Sequence, residues 1–445
     1  MSKVGDRERK TQDRVVRLFQ RVLQWDYLGN WEERENRNVE EDLLRASLME
    51  RYSEALVNKA VHEVQRTAGD QSRSLYDVNK DFYTLLRYGV NVREEHGTNK
   101  QTVQLIDWQY PQKNHFAIAE EVSVRGENKK RPDIVLYVNG IALGVLELKR
   151  SSVSVSEGIR QNLDNQESRF IQRFFTTMQL VMAGNDTEGL RYGTLATPEK
   201  YYLTWKEESR GDYQTILDKH LVQLCNKERF LELIHDFTLF DGGIKKLCRP
   251  HQYFGVRAAQ QRVTDREGGI IWHCQGSGKS LTMVWLTQWI RENVRDSRVL
   301  VITDRDELDR QIVRVFSDAG VQMKRARSGA ELIDLLNRSD QPLICSLVHK
   351  FGRSEEGDYE SWIAAVKAAL PKGFQAKGDL FVFVDECHRT QSGRLHEAMK
   401  AILPNAVFIG FTGTPLLKKD KQTSLEVFGT YIHTYKFNEA VEDKV

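Results

Sequence analysis

The stretch GGIIWHCQGSGKSLTMVWLTQWIRENV, residues 268–294, decides the fold of the C-terminal half of the chain. An apolar run, a glycine-rich turn and a helical pattern follow one another, which is the context of a phosphate-binding loop. The glycines let backbone N–H groups surround phosphates, Lys279 reaches the terminal phosphates, and the Ser280 hydroxyl can hold Mg²⁺. The pattern G-x-x-x-x-G-K-[ST] fails at its first position, His273, and an ordinary glycine turn is the alternative. The loop residues expected at a nucleotide are Gln275, Gly276, Ser277, Gly278, Lys279 and Ser280.

A second motif, DLFVFVDECHR (residues 379–389), ends an apolar run in two carboxylates. Ligands bind at the carboxyl ends of parallel strands, so Asp385 can hold Mg²⁺ and Glu386 can orient or deprotonate the attacking water. By itself, an acidic pair after a strand is more often a solvated strand end. Here it follows the glycine-rich loop by about one hundred residues, and FTGTP (Phe411–Pro415) comes next. Apolar runs that alternate with helical patterns predict βαβ units and a parallel sheet in this half.

Size and composition indicate a soluble α/β protein of two domains. The 445 residues exceed the size of one hydrophobic core, and 40% apolar with 29% charged residues fits a globular chain. A formal charge of +2 neither demands nor excludes a nucleic-acid partner. Five scattered cysteines favour a reducing compartment, and no apolar run is long enough for a signal peptide or a membrane span. We therefore predict a cytoplasmic protein without a membrane partner.

In the N-terminal half, RPDIVLYVNGIALGVLELKRSS (residues 131–152) has the pattern P-D-x(n)-E-x-K. Glu147 and Lys149 are two residues apart on one strand and therefore point to the same face. The carboxylate can bind Mg²⁺ there, while the ammonium orients or activates water for attack on a phosphodiester. Asp133 would supply the second metal ligand. Short patterns also arise by chance, and a charged pair on an edge strand is the alternative.

The Asn139–Gly140 turn determines whether this site can form. In a two-residue hairpin, Asp133 would face Leu146 and point away from Glu147. A three-residue loop with its glycine in the left-handed region would instead pair Asp133 with Glu147. The sequence therefore predicts the bulged three-residue turn.

The organisation of the chain is predicted as follows. Residues 1–38 are rich in charge and form an N-terminal arm, and a long amphipathic helix covers residues 40–65. The nuclease domain takes residues 39–235, and turn signals near the end of a polar stretch place the junction before residues 236–445, which form the P-loop domain.

Taken together, these segments resemble the restriction subunit of type I restriction-modification enzymes. The resemblance rests on RPDIVLYVNGIALGVLELK, GSGKSLTM, ITDRDELDRQI, VDECHRTQSG and GFTGTPL, and extends from about residue 40 to the C-terminus. It implies a PD-(D/E)xK nuclease domain followed by a RecA-like parallel-sheet P-loop domain, the first lobe of a superfamily 2 helicase motor. The family's second lobe and C-terminal helical domain are expected beyond Val445, so we expect that these residues alone do not translocate on DNA.

The resemblance also assigns a role to the helix after the E-x-K strand, which in the family carries Q-x-x-x-Y. Gln161 stands at the fitting distance and is expected to assist the nuclease site. The tyrosine position is occupied by Asn165, which leaves the role of that position open. The spacing from Gln166 to Phe170 is an alternative interpretation.

Two further features of the motor half gain expected roles from the family. Gln252 stands where such motors carry a glutamine that reads adenine, which favours ATP over other nucleotides. VITDRDELDRQI (residues 301–312) resembles the motif that contacts the DNA backbone, with Arg305 and Gln311 as phosphate partners; ordinary surface polarity is the alternative.

The function implied by the family is that of a type I site-specific deoxyribonuclease. Such a protein moves double-stranded DNA with ATP while bound to methyltransferase and specificity subunits, and cuts it with Mg²⁺. A stand-alone superfamily 2 helicase-nuclease and a type III restriction subunit are enzymatic alternatives, although type III subunits place the nuclease after the motor. A non-catalytic DNA-bound scaffold is the third, and the intact Asp133, Glu147 and Lys149 argue against it.

Overall fold

The computed structural model divides into two compact units, residues 1–250 and 251–445. In the part of the chain that it describes, no helix is long and apolar enough to cross a membrane. The described residues are 5–95, 99–208, 211–303, 310, 312–314, 316–317, 322–347, 359–387, 399–414 and 428–443.

The first unit is built on a six-stranded mixed sheet with the order β1-β4-β5-β6-β7-β8. Neighbouring strands in β4 to β6 are antiparallel, whereas β6 and β7 are parallel. Its strands are β1 (Asp26–Asn30), β2 (Val90–Val92), β3 (Gln101–Val103), β4 (Phe116–Glu120), β5 (Ile134–Val138), β6 (Ile141–Leu148), β7 (Leu180–Asn185), β8 (Gly189–Gly193), β9 (Thr238–Asp241) and β10 (Ile244–Leu247). Its helices are α1 (Gly5–Arg21), α2 (Glu41–Met49), α3 (Glu54–Ala68), α4 (Leu75–Tyr88), α5 (Val155–Asn165), α6 (Ile216–Leu224) and α7 (Lys227–Asp236).

The predicted N-terminal arm is wrong, because residues 5–30 are part of the first unit. Helix α1 buries Val15 and Phe19 completely, and β1 pairs with β4 in the main sheet. The apolar stripe of this helix therefore marks a packed face and not an isolated helix.

The predicted single helix over residues 40–65 is two helices, α2 and α3. Ser53 has an extended backbone, and its side chain accepts a hydrogen bond from the Leu56 backbone N–H, so it caps the second helix. Because an N-cap residue has a non-helical backbone, the cap at Ser53 interrupts the amphipathic pattern and separates α2 from α3.

The domain boundary lies later than predicted, after Pro250 and not between residues 235 and 236. The glycine signals that suggested a junction form the turn of the β9–β10 hairpin, where Gly242 and Gly243 have positive φ. This hairpin belongs to the first unit because the buried Lys245 Nζ donates to Asn79 Oδ1 of α4 at 2.8 Å.

The second unit contains a seven-stranded sheet in which every pairing is parallel, with the order β13-β14-β12-β15-β16-β11-β17. This confirms the predicted α/β class with a parallel sheet. Its strands are β11 (Gly269–His273), β12 (Ser297–Thr303), β13 (Lys324–Ala326), β14 (Leu343–Leu347), β15 (Asp379–Asp385), β16 (Val407–Thr412) and β17 (Tyr431–Tyr435). Its helices are α8 (Pro250–Thr264), α9 (Lys279–Asn293), α10 (Gly329–Asn337), α11 (Tyr359–Ala368) and α12 (Phe437–Glu442).

Candidate nuclease and nucleotide-binding sites

The hairpin between β5 and β6 closes with a two-residue turn, so the predicted three-residue turn is wrong. Asn139 and Gly140 both have positive φ, at 50° and 78°, and Val138 lies opposite Ile141. Asn-Gly favours this tight turn, and the Asn139 side chain fixes it by accepting a hydrogen bond from the His115 backbone N–H at 2.8 Å.

A β-bulge inside the strands nevertheless restores the register that the site needs. Tyr137 lies opposite Ala142, but Leu136 lies opposite Gly144, which leaves Leu143 as an extra residue in β6. One extra residue exchanges the two faces of a strand from that point onward. The register that a bulged turn was expected to produce is therefore produced by a bulge further along the hairpin.

Beyond the bulge, Ile134 lies opposite Leu146, and the hairpin brings Asp133 and Glu147 together. The two side chains are close enough to influence each other: their hydrogen-bond interaction lowers the pKa of Asp133 and raises the pKa of Glu147. The Leu148 backbone N–H also donates to Asp133 Oδ2, at 2.6 Å. The two carboxyl groups predicted from the sequence therefore form one cluster.

Burial dominates the electrostatics of this pair. It raises the pKa of Asp133 to about 6, against the lowering effect of the Lys149 charge. Glu147 is fully buried, and burial together with the charge of Asp133 raises its pKa well above the usual value. Two carboxyl groups in a protein interior repel each other and lose hydration, and both costs fall when a cation binds between them. The oxygen donors present are those that Mg²⁺ prefers.

Helix α5 presents two amides to Glu147. Gln161 Nε2 donates to Glu147 Oε2 at 2.7 Å, and Asn165 Nδ2 donates to Oε1 at 3.5 Å. Residues four apart lie on one face of a helix, so both reach the same carboxyl group. The side chain of Gln166, the alternative start of the motif, instead accepts a hydrogen bond from the Ala196 backbone N–H at 2.7 Å.

Two residues that the sequence analysis missed extend the site. Gln12 Nε2 of α1 donates to Glu121 Oε1 at 3.0 Å and reaches the Asp133 carbonyl oxygen at 3.4 Å. Glu121 has a positive φ of 53°, and its charge contributes to the raised pKa of Asp133 and of Glu147. The acidic pair after the apolar run FAIA was an available signal for Glu121. Nothing in the sequence around Gln12 indicated its contact.

In the second unit, the glycine-rich loop joins β11 to α9 as predicted. Gly276 and Gly278 have φ of 85° and 86°, in the left-handed region that favours glycine. Gln252 Nε2 donates to the carbonyl oxygens of Ser277 and Gly278, both at 3.1 Å. A Cβ on Gly278 would lie 2.4 Å from Gln252 Nε2, so the glycine also makes room for the glutamine.

The acidic motif and the FTGT strand meet the loop at Lys279. Gly413 lies next to both side chains: a Cβ atom added to it would be 2.8 Å from Lys279 Nζ and 3.7 Å from Glu386 Oε1. The Gly413 backbone N–H donates to Glu386 Oε2 at 3.4 Å. Asp385 ends β15 and is buried, and Glu386 follows it with a positive φ of 49°. The three motifs predicted to form one site therefore lie together.

Parts of three predicted motifs lie outside the described residues, namely residues 304–309, 311, 388–389 and 415. They include His388 and Pro415 and the predicted DNA contacts Arg305 and Gln311.

Each of the two units matches a known family. Residues 6–200 match the type I restriction enzyme R protein N terminus, and residues 251–445 match the SWI2/SNF2 ATPase family. The chain is 30% identical over 409 residues to the type I restriction enzyme HindI endonuclease subunit of Haemophilus influenzae. It is 29% identical over 399 residues to the putative type I restriction enzyme MjaIXP endonuclease subunit of Methanocaldococcus jannaschii.

These alignments cover most of this chain but a smaller part of the relatives. They include 82% and 81% of the chain, which spans 37% of the length of either relative. Among solved structures, a nuclease-deletion mutant of the Type ISP restriction-modification enzyme LlaGI with a DNA substrate mimic shares 18% identity, with a TM-score of 0.35. That alignment covers 45% of this chain and 21% of the LlaGI chain. The two family matches and the sequence relatives agree: the chain is similar to the endonuclease subunits of type I restriction enzymes, with residues 6–200 resembling the R protein N terminus and residues 251–445 resembling an SWI2/SNF2 ATPase.

Proposed function

We propose that this chain carries the nuclease and the first motor lobe of a type I restriction enzyme, which cuts double-stranded DNA with Mg²⁺ after ATP-driven translocation. The observation that carries the proposal is the pair formed by the half-buried Asp133 and the fully buried Glu147, with Lys149 two residues after Glu147 in the chain. A charged cluster of this kind is costly in a protein interior unless a ligand neutralises it.

In the nuclease reaction, Asp133 and Glu147 would hold Mg²⁺, which supplies a Lewis acid for phosphodiester hydrolysis. Lys149 would orient or deprotonate the attacking water from the same face. Gln161 would orient the Glu147 carboxyl group through its 2.7 Å hydrogen bond to Oε2, and the weaker 3.5 Å contact from Asn165 to Oε1 would give way to the metal.

In the motor unit, the loop from Gln275 to Ser280 would bind the phosphates of ATP. Lys279 would neutralise the terminal phosphates, and Ser280 and Asp385 would hold Mg²⁺. Glu386 would position the water that attacks the terminal phosphate. Gln252 contacts the loop, and we propose that it also reads adenine.

The partners proposed for the whole protein are duplex DNA and the methyltransferase and specificity subunits of the restriction complex. The proposed location is the cytoplasm, where such DNA is found.

The nuclease proposal is tested by nicking of supercoiled DNA in Mg²⁺. Asp133→Asn removes one charge of the metal cluster and should lower the nicking rate by about 10³-fold or more, because a catalytic metal would be lost. Asp164→Asn removes an exposed carboxylate from α5 and serves as the matched control, with an unchanged rate. If the wild type cuts no DNA in Mg²⁺ or Mn²⁺, the non-catalytic scaffold becomes the better hypothesis.

The nucleotide proposal is tested by calorimetric titration of Mg·ATP. Lys279→Ala should abolish measurable binding, whereas Lys324→Ala, which changes an exposed lysine on β13, should leave it unchanged. Equally tight binding by wild type and Lys279→Ala would show that ATP binds elsewhere on the chain. No binding by the wild type would contradict the nucleotide proposal.

A further inference from the structure

A cleft of about 510 Å³ lies between helix α1 and the segment that follows Lys149. Its charged lining consists of four basic side chains and two carboxylates. They are Lys10, Arg14, Arg17, Arg150, Asp13 and Asp186.

Contacts on both walls place the cleft beside the carboxyl pair. On the α1 wall, Gln12 lies in the sequence between the lining residues Thr11 and Asp13. Its Nε2 donates to the Asp133 carbonyl oxygen at 3.4 Å. On the other wall, Arg150 directly follows Lys149, whose backbone N–H donates to the Gly184 carbonyl oxygen at 2.9 Å. A polymer lying in the cleft would therefore pass the proposed nuclease site.

Both carboxylates of the cleft are already paired. Asp13 Oδ1 lies 3.6 Å from Arg9 Nε, and Arg14 pairs with Asp186 and with Asp218. The pairs of Arg14 fix α1 to the rest of the unit, so this arginine holds the wall and is not available to a ligand.

The other three basic side chains of the cleft are not paired with a described carboxylate. Within the described part of the chain, Lys10, Arg17 and Arg150 have no carboxylate within 4.0 Å. Grouped cations without partners repel one another and gain nothing for folding, but they create a positive potential that attracts anions. Lys10 and Arg17 are seven residues apart, about 10 Å along a helix axis, which corresponds to roughly three base-pair steps of DNA.

We propose that Lys10, Arg17 and Arg150 bind the phosphate backbone of duplex DNA and position one strand against Asp133 and Glu147. The inference rests on the proposed nuclease function and names how its substrate is held. It makes α1, which the sequence suggested was a loose arm, the substrate-positioning wall of the site. The three residues are positioning residues, because they contact phosphates away from the bond that breaks.

The first experiment measures DNA binding without catalysis. Fluorescence anisotropy of a short labelled duplex in EDTA is followed over a range of KCl concentrations for wild type and for Lys10→Ala/Arg17→Ala. Each lost phosphate contact lowers the slope of log affinity against log salt by about 0.9, so the double variant should lower it by about 2. Arg66→Ala/Lys80→Ala removes the same charge from exposed positions outside the cleft and should leave the slope unchanged.

The second readout separates this inference from the nuclease proposal. In nicking assays, Lys10→Ala/Arg17→Ala should raise KM by about 10-fold and leave kcat within about twofold, because uniform substrate binding is lost. A chain that never cuts DNA but shows the change in salt slope would refute the nuclease proposal and support the cleft. A chain that cuts DNA with an unchanged salt slope and KM in the double variant would overturn the cleft and support the nuclease.

Crosslinking provides a direct test of position. All five cysteines are buried, so Arg17→Cys would be the accessible thiol for a photoreactive maleimide. It should crosslink to the duplex, whereas Arg66→Cys should not. Equal crosslinking from both positions would contradict the proposal.

Discussion

The nucleotide site and the nuclease site differ in how their residues are distributed along the chain. The phosphate-binding loop is one continuous segment, residues 274–280, which follows strand β11 and includes the first two residues of helix α9. The nuclease site combines Gln12, Glu121, the β5–β6 hairpin and helix α5. A continuous loop depends on local backbone geometry, whereas a dispersed site depends on strand register and on packing. The comparison explains why the local geometry of the loop followed from the sequence, whereas the strand register behind the carboxyl pair did not.

The two sites also differ in the free energy stored in them. Glu147 is completely buried with a raised pKa, whereas Lys279 and Ser280 are only partly buried. The nuclease site is therefore expected to reduce the stability of its unit, while the nucleotide loop stays hydrated. Four predictions, in order of decreasing expected effect, test this comparison of the two units.

The largest effect is expected from Glu147→Gln. Nicking should fall by about 10³-fold or more, while the thermal midpoint should stay unchanged or rise, because an uncharged amide is less costly to bury than a carboxyl group beside a second carboxylate. Calorimetry should show unchanged ATP binding. A fall in the midpoint of the first unit by several degrees would show that the carboxyl pair stabilises the fold.

The second effect concerns the two glycines of the loop. Gly278→Ala should weaken ATP binding by about 100-fold, because the new Cβ would lie 2.4 Å from Gln252 Nε2 in a left-handed backbone. Gly276→Ala has nearly the same φ but open space, and should weaken binding by about 10-fold or less. Neither should change the nicking rate. Equal losses would mean that backbone conformation alone, without the Gln252 contact, controls the loop.

The third effect compares the two amides on α5. Gln161→Ala should lower the nicking rate by about 10-fold, because it removes the 2.7 Å hydrogen bond that orients Glu147. Asn165→Ala removes a 3.5 Å contact and should lower the rate by less than about threefold. The reverse order would assign the main orienting role to the position where the family carries tyrosine.

The smallest effect is a pH dependence of the first unit. His220 Nδ1 accepts a hydrogen bond from the Leu190 backbone N–H at 3.1 Å, and burial lowers the pKa of His220 to about 4. The unfolded chain, with a histidine pKa near 6.5, binds more protons below that pH, so stability is lost as pH falls from 6.5 towards 4. The loss is at most about 1.4 kcal/mol per pH unit.

Thermal unfolding at several pH values checks this expectation. In His220→Gln, whose amide oxygen can accept the same hydrogen bond, the slope of the first unit's midpoint between pH 6.5 and about 5 should decrease. An identical slope in the variant would assign the acid sensitivity to other groups.

The parts of the fold that were predictable are those fixed by local pattern. The alternation of apolar runs and helical patterns correctly predicted the parallel sheet of the second unit. The packing of α1 and the break before α3 were not predictable, because long-range contacts and one N-cap decide them. The charged residues at the start of the chain suggested an arm, but the apolar face of α1, which includes Val15 and Phe19, packs against the first unit.

The candidate site was predictable in its residues but not in its geometry. Asp133 and Glu147 were correctly expected to face each other, but the expected cause, a bulged turn, was wrong. The bulge lies within the strands, and such a bulge leaves a weaker sequence signal than an Asn-Gly turn. The contribution of Glu121 required knowledge of where β4 ends relative to the hairpin.

The extra residue at Leu143 has a consequence for recognising distant relatives of this chain. If Leu143 were deleted, the hairpin would become a regular ladder in which Asp133 still faces Glu147, since the turn would keep its two residues. Evolution could therefore insert or delete one residue here without separating the two carboxyl groups. The number of residues between the aspartate and the glutamate is then a poor search criterion, and a profile with fixed spacing would overlook homologues whose carboxyl pairs superimpose on this one.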